Sequence, residues 1–172
     1  RQPLNILSHD YPENASPYQS ISRVYLNPIY IDVEAVPEFK PEDMAEVKND
    51  VEEFRQSELI QYEHIYPLKV RMLKKCYERF KQNKDSERYK DFEKYVQAEG
   101  TELERLAVFQ SLYHKYTQLN WGGWRVWPEE YRNPNSLAVK EYAKENADEI
   151  NFFKFMQFEA SRQFELASKV VK

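Results

Sequence analysis

At 172 residues, with 31% charged and 15% aromatic side chains, the chain is long enough for one domain with a real core, and it is neither a disordered tail nor a membrane protein. Lys and Arg number 25 against 29 Asp and Glu, and the resulting charge of −4, spread along the helices, gives no electrostatic basis for nucleic-acid binding. Only three glycines weigh against a β-rich fold full of tight turns, and no apolar run reaches the roughly 18 residues of a membrane span.

The start, Arg1-Gln2-Pro3-Leu4-Asn5, has no signal-peptide core and no initiator Met, so the chain is expected to be trimmed or cut from something larger. The single Cys76 cannot form an internal disulfide, which fits a reducing, cytoplasmic setting. Residues 1–36 read as irregular and Pro-rich, with Leu4–Leu7 as a short strand candidate. Within them, Ser16-Pro17-Tyr18-Gln19-Ser20 is a turn in which Pro17 fixes its own φ and pushes Ser16 towards extended backbone, presenting Tyr18 from a stiffened loop. Asn27-Pro28 is a second turn signal. Ile29, Ile31 and Val33 then alternate with Tyr30 and Asp32 as a half-buried strand does.

After Pro37 the composition shifts to helix formers. Pro41 suits a first helical residue, and Met44, Val47, Val51 and Phe54 follow at helical spacing. Residues 57–62 interrupt the pattern. A long helix is predicted to start within 62–67, at or just before Pro67, with Tyr66, Val70, Leu73, Tyr77 and Phe80 on one face. Lys84-Asp85-Ser86 is a helix-start signal, followed by Tyr89, Phe92 and Val96. Gly100 suits a left-handed C-terminal cap, and Thr101 with Glu104 forms a capping-box pattern directly after it. Leu103, Leu106, Tyr113 and Tyr116 line the next helix, so the two are predicted to form an antiparallel pair.

Residues 120–135 hold all three tryptophans, Trp121, Trp124 and Trp127, and two of the three glycines. They read as a long ordered loop whose aromatics pin it to the helices. Ser136 caps a short helix to about Asn146. The last helix, from about Asp148, carries one stripe of Phe153, Met156, Ala160, Phe164, Ala167 and Val171 and a second of Phe152, Phe155, Leu166 and Val170. Together these cover roughly half the circumference, more than the ordinary ~100° of a surface helix.

Convergent chemistry is scarce. His9, His64 and His114 are scattered, with no metal-ligand spacing, and read as ordinary loop or surface residues. Cys76 reads as a small buried hydrophobe, and Glu52-Glu53 and Glu129-Glu130 as solvated charge. For the Ser16–Tyr18 turn, function and plain turn chemistry stand level on the residues alone.

Three stretches carry a resemblance. Ser16-Pro-Tyr-Gln-Ser20, with Arg23 and Leu26-Asn-Pro-Ile-Tyr-Ile-Asp32, resembles the Ser-Pro-Tyr-x-Ser…Asn-Pro-x-x-Ile-Asp region of bacterial 4-α-glucanotransferases (amylomaltases, glycoside hydrolase family 77). Trp124-Arg-Val-Trp127-Pro128 resembles that family's Trp-x-x-Trp-Pro segment, and Asn151-Phe-Phe-Lys-Phe-Met-Gln157-Phe its following aromatic helix. The resemblance implies a (β/α)₈ barrel with insertions and retaining transfer of α-1,4-glucan between maltooligosaccharides, by a carboxylate nucleophile and a carboxylic acid, with no added cofactor. It places those carboxylates on later barrel strands, so this chain is expected to be an early part that is inactive alone.

The expected architecture is therefore mainly α. Residues 1–36 form a barrel-edge loop and strand, 37–119 a helical insertion subdomain, 120–135 the Trp loop, and 136–172 helices leading back to the barrel. By resemblance, Ser16 and Tyr18 bind substrate, Tyr by stacking and Ser by a hydrogen bond, while Asn27 and Asp32 hold the turn and strand. Glu13 stands where many members have a glucan-contacting Tyr. No metal, nucleic acid or membrane is expected as a partner, and the exposed apolar face of the last helix is expected to drive self-association. A non-catalytic helical module binding glucan or another protein is the alternative, with Trp124 and Trp127 as its discriminating residues.

Overall fold

The computed structural model describes residues 17–18, 25–56, 62–116 and 123–170, the side chains of 50–56, 62–64 and 123 excepted. Five helices carry the fold among these residues: α1 (Pro41–Gln56), α2 (Tyr62–Lys81), α3 (Glu87–Tyr116), α4 (Leu137–Glu145) and α5 (Ala147–Val170). No strand occurs among the described residues, so the mainly α reading holds. The Leu4–Leu7 strand candidate, Trp121 and residues 57–61 of the expected 57–62 interruption lie outside them, while Tyr62 opens α2.

α1 begins where Pro41 places it, and the Asp43 carboxylate accepts the Lys40 N–H at 3.0 Å, reaching back over the first turn. α2 carries Pro67 as its sixth residue, one turn in, where it removes the N–H that would bond the Glu63 carbonyl. Its inner face is Leu68, Met72, Leu73, Cys76, Tyr77 and Phe80, all buried. Ser86 Oγ accepts the Tyr89 N–H at 3.1 Å and so caps α3, and the Ser136 hydroxyl does the same for α4 through Val139 N–H at 3.2 Å.

α5 is the central element. Every residue from Phe152 to Ala160 is buried, which the two apolar stripes anticipated. Around it Phe80 meets Phe155 at 4.8 Å, Tyr89 at 5.0 Å and Phe92 at 5.3 Å, and Phe92 meets Phe158 at 5.6 Å. From Phe164 onwards the same helix is exposed, with Phe164, Leu166 and Val170 among its large apolar residues open to solvent.

Two expectations are corrected. The alternation over 29–33 is not a strand: Pro28–Tyr30 and Val33–Ala35 are single 3₁₀ turns. The Asn27 side chain accepts the Ile29 N–H at 3.0 Å and the Asp32 side chain accepts the Glu34 N–H at 3.2 Å, so local side-chain bonds close two turns where a ladder would need neighbours. Burial still alternates, with Ile31 and Val33 inside and Tyr30 and Asp32 outside.

The helices on either side of Gly100 also do not fold back as an antiparallel pair. Gly100 has φ 60° and ψ −136°, a positive-φ kink open to glycine but not the left-handed helical cap expected of it, and it separates the two helical halves of α3. Phe92 and Tyr95 meet Phe158, Glu104 pairs with Lys154, and Ser111 bonds Glu149, a steady march in one direction along α5. Both halves of α3 are therefore needed to cover one long buried helix. On the second half, Ala107, Val108 and Leu112 join Leu103 and Leu106 in the core, whereas Tyr113 is exposed.

The α1–α2 contact is locked by charge. Arg79 donates to both oxygens of the buried Asp43, at 2.5 and 2.7 Å, and to the Glu38 carbonyl at 3.0 Å. These Arg79 bonds, against the opposing effect of burial, hold the Asp43 carboxyl below its ordinary 3.8. A carboxyl depressed in the folded state contributes stability that is present above its unfolded pKa and lost as pH falls through the folded one. The thermal midpoint is expected to drop between about pH 5 and about pH 2, and Asp43→Asn to flatten that drop. Some slope remains in the variant, because Asp148 is also held low, Lys81 and Tyr77 hydrogen bonds outweighing its burial. Thermal melts across that range check this, and an unchanged slope in Asp43→Asn would count against the linkage.

Candidate functional site

Tyr18 sits inside the protein, 2% exposed. Its ring lies 5.7 Å from Phe109 and 6.2 Å from Trp127, and its hydroxyl donates to the Tyr131 carbonyl at 2.5 Å. Burial pushes its phenol well above the ordinary range. In this chain the ring thus ties the Ser-Pro-Tyr turn to the Trp loop and leaves neither face open for a sugar. Ser16, the other expected contact, lies outside the described residues.

The Trp loop is pinned as expected. Trp127 is 1% exposed and packs on Phe109 at 5.4 Å and Tyr116 at 6.3 Å, while Trp124 lies at the edge of the same core. Turns at Gly123–Val126 and Glu129–Tyr131 flank it, and Arg132 Nε donates to the Trp127 carbonyl at 2.7 Å. Glu129 and Glu130 are exposed, as their solvated reading required.

The segment after the turn is held in an unusual way. Beyond a single bridge residue, Leu26, side chains of α2 and α5 take its backbone groups one by one. Gln157 Nε2 donates to the Leu26 carbonyl at 2.7 Å, and Lys69 Nζ donates to Ile29 and Ile31 carbonyls at 2.6 and 3.0 Å. Gln163 donates to the Asp32 carbonyl at 2.9 Å and accepts the Asp32 N–H at 2.8 Å, as a neighbouring strand would. Arg162 donates to the Ala35 carbonyl at 3.0 Å. Burial lowers the Lys69 ammonium, Asp32 opposing it.

Behind this segment lies a buried ionic cluster. Arg88 forks onto Glu38 at 2.6 and 2.8 Å and reaches Glu159 at 2.8 Å. Glu159, fully buried, also accepts from Arg162 and from Gln163. Burial alone would lower the Arg88 guanidinium, but its bonds to Glu38 and the charges of Glu159 and Glu38 outweigh that and raise it. The Arg88 plane also lies over Phe80, Phe155 and Phe158 at 5.4–5.7 Å. Burial, with Asp43 and Glu38 next, pushes the Cys76 thiol up to about 12, so it is no nucleophile at neutral pH.

Between segment 26–35 and the outer part of α5 runs a groove of about 480 Å³, with Asn27, Tyr30 and Asp32 on one wall and Arg162, Phe164 and Leu166 on the other. No cluster of three or more His, Cys, Asp or Glu residues suited to a metal occurs among the described residues. His114 is exposed, and no described helix is long and apolar enough to cross a membrane.

Comparison with known proteins decides the family, because residues 2–172 match the family model described as 4-alpha-glucanotransferase. The chain belongs to the 4-alpha-glucanotransferase family. Curated 4-alpha-glucanotransferases show the same relation at low identity. That of Clostridium butyricum is 30% identical over 152 residues, covering 87% of this chain and 29% of the relative. That of Haemophilus influenzae is 26% identical over 185 residues, 99% of this chain and 26% of the relative. That of Chlamydia muridarum is 29% identical over 171 residues, 98% and 31%. The chain thus spans about a fifth to a third of the length of the curated relatives it matches.

The side chains that grip segment 26–38 were not anticipated from the sequence. A signal was present. Gln157 and Glu159 interrupt an apolar run on a helix expected to be covered on two sides, and a polar group there has to be paired.

Proposed function

We propose that this chain is part of a longer 4-alpha-glucanotransferase that moves α-1,4-glucan segments between maltooligosaccharides by retaining double displacement. The observation that carries the reading is the family match over residues 2–172, which takes in the Ser-Pro-Tyr turn, the Trp-x-x-Trp-Pro loop and the aromatic helix. In this reading segment 1–36 borders a (β/α)₈ barrel in a cytoplasmic enzyme, and the chain lends one wall to its substrate cleft.

The nucleophile and the general acid belong to the remainder of the longer protein. A general acid needs a carboxyl whose pKa is raised towards the working pH. The buried carboxylates described here, Asp43 and Glu159, are both committed to arginines, and the Arg79 bonds hold the Asp43 carboxyl below its ordinary range.

Ser16 and Tyr18 serve the cleft together. Tyr18 anchors the turn through Tyr131, and Ser16 offers a hydroxyl to a glucose hydroxyl. In the longer enzyme, Ser16→Ala is expected to raise KM several-fold with little change in kcat. Tyr18→Phe, which keeps the ring and removes the bond to Tyr131, is expected to raise KM and loosen the Trp loop. Steady-state kinetics with maltotriose measures both, and unchanged KM values in the two variants would remove the turn from the cleft.

Alone, the chain is expected to self-associate through the outer end of α5, where Phe164, Leu166 and Val170 are exposed. Sedimentation should show a concentration-dependent shift that Leu166→Asp abolishes. A monomer at high concentration would contradict it.

A further inference from the structure

The groove beside segment 26–35 has binding chemistry that the Ser16–Tyr18 turn does not use. Its volume of about 480 Å³ lies inside the roughly 300–1,000 Å³ of small-molecule sites. Two aromatic rings open into it, Tyr30 at 41% and Phe164 at 49% exposure. Among the described residues its wall also has uncommitted polar groups. The Tyr30 hydroxyl makes no hydrogen bond there. Asn27 uses its carbonyl oxygen for the Ile29 N–H and keeps its amide hydrogens free, and Asp32 uses one carboxylate oxygen for the Glu34 N–H and keeps the other.

This wall is rigid before any ligand arrives. Gln163 holds Asp32 by two backbone bonds, and Lys69 holds the carbonyls on either side of Tyr30, so ordering costs little on binding.

We infer that the groove is a second carbohydrate-binding site, taking α-1,4-linked glucosyl units apart from the Ser16–Tyr18 turn. Glucose rings have apolar C–H faces and a hydroxyl edge. The faces stack on Tyr30 and Phe164, and the hydroxyls meet Asp32, Asn27 and the Tyr30 hydroxyl. A wholly apolar occupant fits less well, because it would strip water from the Asp32 carboxylate and give no donor in return. The α-glucan class rests on the family reading above, whereas the groove rests on geometry alone.

The test is titration of maltotetraose into the 172-residue chain, followed by NMR at concentrations where sedimentation shows a monomer. Saturable binding is expected. It should weaken about tenfold in Tyr30→Ala and in Phe164→Ala, both exposed positions, and stay unchanged in Trp124→Ala. Asp32→Asn keeps the oxygen that closes the turn and should weaken binding several-fold, which guards against a Tyr30 or Phe164 variant that loses its thermal midpoint. Absence of saturable binding, or binding indifferent to Tyr30 and Asp32, overturns the site. Loss in Trp124→Ala alone also overturns it, by placing the sugar on the Trp loop. None of these outcomes bears on glucan transfer by the longer enzyme, which is read separately by its activity.

Discussion

Replacing Glu159 with Ala is expected to lower the stability of the chain by about 3 kcal/mol, because the hydrogen bonds converging on a fully buried carboxylate are lost, while Arg88 keeps its fork on Glu38. Glu159 is fully buried and takes hydrogen bonds from Arg88, Arg162 and Gln163, so one deletion unpairs several donors at once. For a domain of this size that corresponds to a fall in thermal midpoint on the order of 10 °C. The loss should be uneven in space. Arg162 and Gln163 also hold Ala35 and Asp32, so amide exchange in segment 31–36 should speed up more than in the core of α2. Glu159→Gln keeps the side-chain volume and a carbonyl oxygen for these donors and is expected to lose less than Glu159→Ala. Chemical denaturation with hydrogen exchange measures all three, and a Glu159→Ala variant as stable as the parent would remove the cluster from the account.

The cluster also marks what a sequence reveals and what it conceals. Helix positions were legible because they depend on local signals. Pro41 starts α1, Ser136 caps α4, Gly100 breaks α3, and the doubled apolar stripe of α5 announced a helix covered on two sides, although burial from Phe152 to Ala160 goes all the way round. What was not legible depended on partners far apart in the chain. The alternation of Ile29, Ile31 and Val33 gave the burial correctly and the conformation wrongly, because a pattern of period two records which side chains go inside and not what satisfies the backbone. Here Gln157, Lys69, Gln163 and Arg162, up to 131 positions away, take those backbone groups, and the short-range bonds of Asn27 and Asp32 close turns. Similarly, a short link after Gly100 suggested a hairpin, but the direction beyond a break is set by the length of α5 that has to be covered.

The candidate site was legible in part. The Ser-Pro-Tyr turn was found by its stiff Pro17, and the Trp loop by its aromatics. That the two are one unit was not visible, since Tyr18 and Tyr131 lie 113 positions apart and are joined by a hydroxyl-to-carbonyl bond.

That junction supports the second large effect. Trp127→Ala is expected to cost about 3–5 kcal/mol, the usual range for emptying the space of a buried Trp. Trp127 touches Tyr18, Phe109 and Tyr116, so the cavity would lie where the turn, α3 and the loop meet. Trp127→Phe should recover much of the loss. A double-mutant cycle with Tyr18→Leu, which removes the ring that meets Trp127, should show coupling of about 0.5–3 kcal/mol, as contacting residues do. Additive effects would mean that turn and loop are stabilised separately, against the junction proposed to hold Ser16 in place.

The central claim is that the chain contributes a wall of the glucan cleft while catalysis belongs to the rest of a longer enzyme. It is tested most directly by incubating the purified 172-residue chain with maltotriose and following glucose and longer maltooligosaccharides, beside the longer protein at equal molarity. The account predicts redistribution of chain lengths by the longer protein and none above background by this chain. Disproportionation of maltotriose by the 172 residues alone would contradict it.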